Sequence, residues 1–159
     1  MSQRWRPYIV VAGIIEKDGR FLLVEEREAD GQITLNQPGG LLEAGESLVQ
    51  AVAREVLEES AYAFFPEAFL GAYHLSYRFP DGEDVSYIRF AFTGSVGEQA
   101  MRELDPDIVR IHWMTKEELL ACVDRHRSVV VMQCIEDYLA GQRFPLSAIA
   151  RYTGMDLPK

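Results

Sequence analysis

The stretch from Gly39 to Ser60 places a glycine turn before a segment that carries acidic residues at helical spacing. In an α-helix, residues three and four apart share a face, so Glu55, Glu58 and Glu59 would present their carboxylates within one short arc. Such a cluster can be an ordinary solvated surface, because like charges at this spacing cost only a few tenths of a kcal/mol per pair. It can also hold a hard divalent cation, which prefers oxygen ligands.

The residues around this cluster favour the metal site. Ser47 followed by Gln50 matches a capping box, which predicts a helix from about Ser47 to Ser60. One side of the predicted helix is apolar, formed by Leu48, Val49, Val52, Ala53 and Val56. The acidic residues fall at the edge of that side, where they would border a groove. Gly39 and Gly40 allow the main chain to approach a ligand closely.

The pattern across this stretch resembles a known family signature. Its defined positions are Gly40, Glu46, Arg54, Glu55, Val56, Glu58 and Glu59. They resemble the Nudix box of hydrolases that act on diphosphates linked to another moiety. One departure is Ala61 followed by Tyr62, where the family has a glycine and an aliphatic residue. That glycine usually ends the helix with positive φ, so Ala61 puts the turn geometry in doubt, not the carboxylates.

The resemblance implies an α/β protein with the Nudix fold, in which a mixed β-sheet is sandwiched between α-helices. A single domain over residues 1–159 is expected, because this length and 48% hydrophobic residues suit one compact core.

The resemblance also implies a cofactor, Mg²⁺ or Mn²⁺. The implied metal ligands are Glu46, Glu55, Glu58, Glu59 and the main-chain carbonyl of Gly39. Arg54 would anchor the box through an ion pair with Glu58 and would not touch substrate. A metal ion would screen the diphosphate, orient it and lower the pKa of a water for in-line attack.

The catalytic base is left open by the sequence. Glu55 could serve, or an acidic residue of the stretch before Trp113, where Glu103, Asp105 and Asp107 are available. We choose Asp107 among these three. The predicted catalytic set is therefore Glu55, Glu58, Glu59 and Asp107.

Substrate contacts are expected from the loop Glu25 to Gln32 and its surroundings, because in a Nudix fold this loop borders the substrate site. The candidates are Arg27, Asn36, Gln37 and Arg89. For Arg27, a solvent-exposed loop position without substrate contact is at least as good an interpretation as a substrate contact. Arg89 could reach a phosphate, and Tyr87 on the same strand face could stack on a base, but a salt bridge at the rim is preferred for Arg89 and ordinary packing for Tyr87.

Strand patterns accompany the box. Tyr8 to Ile15 and Phe21 to Val24 predict a hairpin through the turn Lys17-Asp18-Gly19, and Phe69 to Phe79 and Val85 to Phe92 predict two strands joined at Pro80-Asp81-Gly82. In the last of these strands, Ile88, Phe90 and Phe92 are expected to face the core.

The C-terminal third predicts one strand and two helices. The strand is Ile108 to Trp113, and Thr115 with Glu118 forms a second capping box before a short helix. A last helix runs from about Ser128 to Ala140 and stops at Gly141.

Net charge and composition limit the kinds of binding partner that this chain can have. The formal net charge of −9 and pI near 4.8 oppose attraction to nucleic acid or to an anionic membrane. The expected partner is a small phosphorylated substrate, and the oligomeric state is not readable. The two cysteines, Cys122 and Cys134, are expected to be free thiols in a cytoplasmic protein.

Further residues resemble one subgroup of the family, the NudJ-type bacterial phosphatases. These are Asn36-Gln37-Pro38, Leu42-Glu43, Arg89-Phe90 and the tail Gly141 to Leu146. The resemblance implies metal-dependent release of phosphate from nucleoside di- and triphosphates, and hydrolysis of the hydroxymethylpyrimidine diphosphate precursor of thiamine. Two alternatives stay open: a pyrophosphohydrolase for nucleotide sugars or dinucleotides, and a non-catalytic nucleotide-binding module. A thiol-dependent isomerase is a weaker option, because no cysteine lies near the predicted groove.

Overall fold

The structure is a computed structural model that describes residues 5–154. The predicted domain 1–159 therefore extends at both ends outside the described residues, and its single-domain boundary stays a prediction. The strands are β1 (Tyr8–Ile14), β2 (Glu16–Lys17), β3 (Arg20–Arg27), β4 (Ile33–Asn36), β5 (Gly39–Leu41), β6 (Tyr62–Arg78), β7 (Asp84–Gln99) and β8 (Ile108–Met114). The helices are α1 (Leu48–Ser60), α2 (Lys116–Leu120) and α3 (Val130–Leu139). Single 3-10 turns lie at Val123–Arg125 and Leu146–Ala148.

Two sheets form the centre of the molecule. The first has the strand order β5-β1-β7-β6, with β1 parallel to β7 and the other pairs antiparallel. In the second, β3 pairs with β2, β4 and β8, all antiparallel. The first sheet is therefore mixed, as the family resemblance implies.

The helices cover opposite faces of the mixed sheet. Successive residues of β1 divide between two apolar clusters: Val11 packs with Val52 and Val56 of α1, and Ala12 packs with residues of α3. Since side chains alternate along a strand, α1 and α3 lie on the two sides of the sheet. The α/β architecture with flanking helices is confirmed.

The first predicted hairpin is wrong in its pairing. The turn at Asp18 and Gly19 exists, with φ of 52° and 77°, but it joins only β2 to the start of β3. β1 belongs to the other sheet, where it pairs with β5 and β7. The strand signal was right, but a local turn could not reveal that β1 has its partners far away in the chain.

The loop predicted from Glu25 to Gln32 is also shorter than expected, because β3 continues to Arg27. β6 and β7 are longer than predicted and together form one extended ribbon. Both faces of β7 are buried: Phe92 lies in the cluster against α1, whereas Ala91 lies in the cluster against α3. Phe92 and Phe90 face the core as expected, and the structure adds Ala91 of the opposite face to the core.

The helix boundaries were predicted well. Ser47 caps α1, its side chain accepting from the Gln50 amide while the Gln50 side chain accepts from the Ser47 amide. Thr115 and Glu118 form the same box at α2. Both Cys122 and Cys134 are free.

Ala61 ends α1 in the left-handed conformation that the family signature assigns to glycine. Its φ is 62° and ψ is 12°, and its amide donates to the Leu57 carbonyl. The turn geometry is thus retained in spite of the substitution, at a strain of about 1–2 kcal/mol for a residue with a Cβ.

Across residues 5–154, no helix has the length and apolar character needed to cross a membrane.

Candidate active site

The site forms where α1 packs against the glycine strand β5. Gly39 donates its amide to Glu59 Oε2 at 2.9 Å, which ties the helix to the strand. Gly40 lies directly against the Glu55 carboxylate. Glu55 and Glu59 are both buried, at 8% and 6% exposure. The helix edge predicted to border a groove is therefore turned toward the Gly39-Gly40 main chain.

Three carboxylates meet at this place. Glu55, Glu58 and Asp105 each offer an oxygen, and these oxygens lie within 4.8 Å of one another. The Asp105 amide donates to the Glu58 carbonyl at 3.0 Å, which holds the loop before β8 against α1. Such a set of hard oxygen donors fits a divalent cation of the Mg²⁺ or Mn²⁺ kind.

The electrostatics of the cluster agree with this fit. Burial, together with the charges of neighbouring carboxylates, raises the pKa of Glu59 to about 9, although the hydrogen bond from the Gly39 amide acts in the opposite direction. Burial also raises the pKa of Glu55 and of Asp105, with added repulsion from Glu58 in both cases. Carboxylates that are buried and crowded disfavour their own charge, and a divalent cation would offset both effects.

Arg54 organises the acidic side of the cluster. Its guanidinium donates to Glu46 at 2.7 and 3.0 Å, to Glu55 at 2.8 Å and to Glu58 at 3.0 Å. The expected ion pair with Glu58 is present. Glu46 is held by Arg54, whose hydrogen bonds keep the pKa of its carboxyl below the usual range. The structure thus places Glu46 with Arg54, outside the three-carboxylate cluster.

Asp105 joins the cluster, whereas Asp107 does not. Asp107 instead accepts the Arg27 amide at its main-chain carbonyl, at 2.8 Å. Glu103 is also outside the cluster. Three acids within five residues gave no sequence signal that could select one, because the selection depends on the long-range bond from Asp105 to Glu58.

The predicted substrate residues lie in three different settings. Arg89 and Asn36 are in contact, with Arg89 Nη2 donating to Asn36 Oδ1 at 3.0 Å. The rim salt bridge expected for Arg89 is wrong: the side chain is buried, and its recorded partner within residues 5–154 is a neutral amide. Gln37 is buried and donates to the Val131 carbonyl of α3 at 2.8 Å. Arg27 is exposed at the end of β3.

One arginine near the site was missed by the sequence analysis. Arg127 donates to Glu26 at 2.7 Å and approaches Glu28 within 3.1 Å, and its amide donates to the Leu35 carbonyl. The charge of Glu26 in turn contributes to the raised pKa of Glu59. A lone arginine before a helix carries no motif, so only the fold shows that it lies beside the candidate site.

Comparison with known proteins identifies the family. The model of the NUDIX domain matches residues 4–134, and the chain therefore belongs to the NUDIX family. It is similar to the Phosphatase NudJ of Escherichia coli K12, with 34% identity over 93% of this chain and 94% of that protein. A solved NUDIX hydrolase from Nitrosomonas europaea is 46% identical, covers 94% of this chain and 100% of its own, and superposes with a TM-score of 0.89.

The fold, the box and these relatives together define a NUDIX hydrolase of the phosphatase or pyrophosphohydrolase kind. Hydrolases of this family generally use divalent metals, and the cluster of Glu55, Glu58 and Asp105 is a place that could hold one.

Proposed function

We propose that this protein hydrolyses the phosphoanhydride bonds of nucleoside di- and triphosphates with Mg²⁺ or Mn²⁺ and releases orthophosphate. Hydroxymethylpyrimidine diphosphate belongs to the same proposed substrate class. The observation that carries the proposal is the carboxylate cluster of Glu55, Glu58 and Asp105, positioned on the box helix against Gly40. Similarity to a phosphatase over nearly the whole chain supports it. A cytoplasmic location is part of the proposal.

The proposed metal ligands are Glu55, Glu58, Glu59 and the carbonyl of Gly39, with Asp105 as the acidic residue supplied by the later loop. Asp107 was predicted as the catalytic base; we propose Asp105 instead as the acidic residue of this loop that acts at the site, because its carboxylate reaches the cluster and would also offer an oxygen to the metal. A bound cation would supply charge neutralisation on the phosphates and a water of lowered pKa. Glu59 fixes the Gly39 main chain, and Arg54 holds the Glu55 and Glu58 oxygens in place.

The chain's own residues also account for substrate binding in this proposal. Buried Arg89 on β7 and partly buried Asn36 on β4 form a polar pair. Gln37 anchors the turn before Gly39 to α3 and so contributes by position. Arg27, exposed at the border of the loop, is proposed to contact the outer part of the substrate.

A release assay tests the proposal. The purified protein is incubated with nucleoside di- and triphosphates, nucleotide sugars, dinucleotides and hydroxymethylpyrimidine diphosphate, in Mg²⁺ and in EDTA. Orthophosphate release that needs Mg²⁺ supports the proposed function. Cleavage restricted to nucleotide sugars or dinucleotides would make it a pyrophosphohydrolase of that kind. Nucleotide binding without turnover on any of these compounds would make it a binding module.

A further inference from the structure

Arg89 is a buried guanidinium without an acidic partner. It is 6% exposed in the middle of β7, and its recorded hydrogen bond within residues 5–154 goes to the neutral Asn36. Arg54 and Arg127, by contrast, are each bound by at least two carboxylates. A buried charge that lacks a counter-charge is costly, so its presence indicates a ligand that supplies the missing acceptor.

The free edge of this guanidinium is open to such a ligand. In the described part of the chain, the fully buried side-chain atoms that make no hydrogen bond are Gln37 Oε1 and His112 Nε2, although the latter lies 3.1 Å from Glu25; no nitrogen of Arg89 is among them. The Arg89 nitrogens that do not bind Asn36 therefore reach accessible space.

Asn36 adds donors of its own to this edge. Arginine has no acceptor, so the Asn36 atom that faces Arg89 is the carbonyl oxygen Oδ1, at 3.0 Å. The amide nitrogen Nδ2 then keeps both its hydrogens for another partner. The pair consequently presents donors alone, and it is complementary to a group that carries acceptors alone.

The donor pair lies within reach of the carboxylate cluster. Asn36 precedes Gly39 by three residues, a span of at most about 10 Å, and Gly39 binds the Glu59 carboxylate. Glu26, on the strand that pairs with the strand of Asn36, contributes to the raised pKa of Glu59, which also places β3 and β4 beside Glu59. A nucleotide with its phosphates at the cluster can thus bring its base to Arg89 and Asn36.

We propose that Arg89 and Asn36 recognise a keto oxygen of the substrate's nucleobase, which makes this protein selective for keto bases such as hypoxanthine and guanine. The inference rests on the proposed function and deepens it. The fork of an arginine matches the O6 and N7 acceptors of a 6-keto purine. Adenine has an amino donor at position 6, which would face another donor and leave a buried polar group unpaired.

Inosine and adenosine diphosphates test this, because they differ only in the group at position 6 and the proton on N1 that follows from it. We expect kcat/KM to favour inosine diphosphate by about 10- to 100-fold. In Arg89→Met the ratio of kcat/KM for inosine diphosphate to that for adenosine diphosphate should fall to near 1, chiefly through loss of activity on inosine diphosphate. Methionine fills similar space and removes the buried charge, so the melting temperature should be equal or higher.

A second variant and a control complete the design. Asn36→Asp gives Arg89 a carboxylate partner and replaces the Nδ2 donors by an acceptor oxygen. The kcat/KM ratio of inosine to adenosine diphosphate should therefore fall again, because the activity on adenosine diphosphate rises relative to that on inosine diphosphate. Arg78→Met removes an exposed arginine on β6 that pairs with Asp84 at 2.8 Å, and its ratio should match the wild type.

Two outcomes overturn the inference. One is equal kcat/KM for the two diphosphates in the wild-type protein. The other is an equal loss on both in Arg89→Met, which would place Arg89 against an anionic phosphate oxygen.

Inosine and adenosine monophosphates separate this inference from the proposed function, since they contain no phosphoanhydride bond. Their dissociation constants are measured by calorimetry with Mg²⁺. Preferred binding of the inosine nucleotide that is lost in Arg89→Met supports base recognition even if no diphosphate is hydrolysed, a result that would overturn the proposed function alone.

Discussion

A Cβ atom on Gly40 would lie 2.6 Å from the carboxylate carbon and from Oε1 of Glu55. Such a distance is far inside van der Waals contact, so only a residue without a side chain lets the Glu55 carboxylate stay where it is. Gly40 shows no positive φ, so backbone conformation does not require a glycine at this position. The requirement is steric, because the Glu55 carboxylate occupies the space that a side chain would need.

Gly40→Ala should therefore displace Glu55 and reduce phosphate release by at least about 100-fold, since the carboxylate would leave the metal cluster. The rate in Mg²⁺ is the measurement. Gly97→Ala is a matched control, because a Cβ there meets nothing closer than 3.7 Å. A Gly40→Ala protein with wild-type turnover would show that Glu55 is not needed at its present position.

Local sequence signals predicted the parts of the fold that depend on local contacts. Both capping boxes, at Ser47 and Thr115, begin helices where expected, and Gly141 follows α3 with φ of 82°. Each of these features is decided by atoms a few residues apart.

Features that depend on distant contacts were not predictable. β1 pairs with β7, and the paired residues are 79 positions apart, as in Tyr8 with Tyr87, so the adjacent turn at Gly19 gave the wrong partner. Arg89 is buried because β7 is covered on both faces, and alternation along one strand cannot show that. Asp105 enters the cluster through its bond to the Glu58 carbonyl.

Mg²⁺ should raise the melting temperature, because a cation among Glu55, Glu58 and Asp105 offsets the repulsion of crowded carboxylates. At about 100 times the dissociation constant, the gain is about 2.7 kcal/mol. Scanning calorimetry in Mg²⁺ and in EDTA measures it.

Asp105→Asn should reduce this metal-dependent shift, whereas Asp107→Asn should leave it intact, because the Asp107 carboxylate lies outside the cluster. The reverse pattern would restore Asp107 as the acidic residue that the later loop supplies.

Glu59→Gln should keep the fold, because an amide oxygen can still accept the Gly39 amide that Glu59 Oε2 accepts now. Turnover should fall by orders of magnitude, since the neutral side chain no longer offers a charged oxygen to the metal. Glu136→Gln is the control, because Glu136 binds Lys116 at the surface of α3. An unchanged rate in Glu59→Gln would remove Glu59 from the proposed metal ligands.

Ala61→Gly should stabilise the protein, although it removes a methyl group. At φ of 62° the Cβ of Ala61 costs about 1–2 kcal/mol, and glycine adopts this conformation without that cost. The greater freedom of glycine in the unfolded chain opposes this gain by about 0.4–1 kcal/mol, and loss of the buried methyl group opposes it by about 0.8 kcal/mol, so the expected net gain is at most about 0.8 kcal/mol.

The matched comparison is Ala51→Gly, in the buried interior of α1, where the same chemical change relieves no strain and should cost about 1 kcal/mol or more. Urea unfolding of both variants gives the two free energies of unfolding. Opposite signs would confirm that the left-handed end of α1 is strained by its alanine. A loss in Ala61→Gly as large as that in Ala51→Gly would mean that the buried methyl group of Ala61 outweighs its backbone strain.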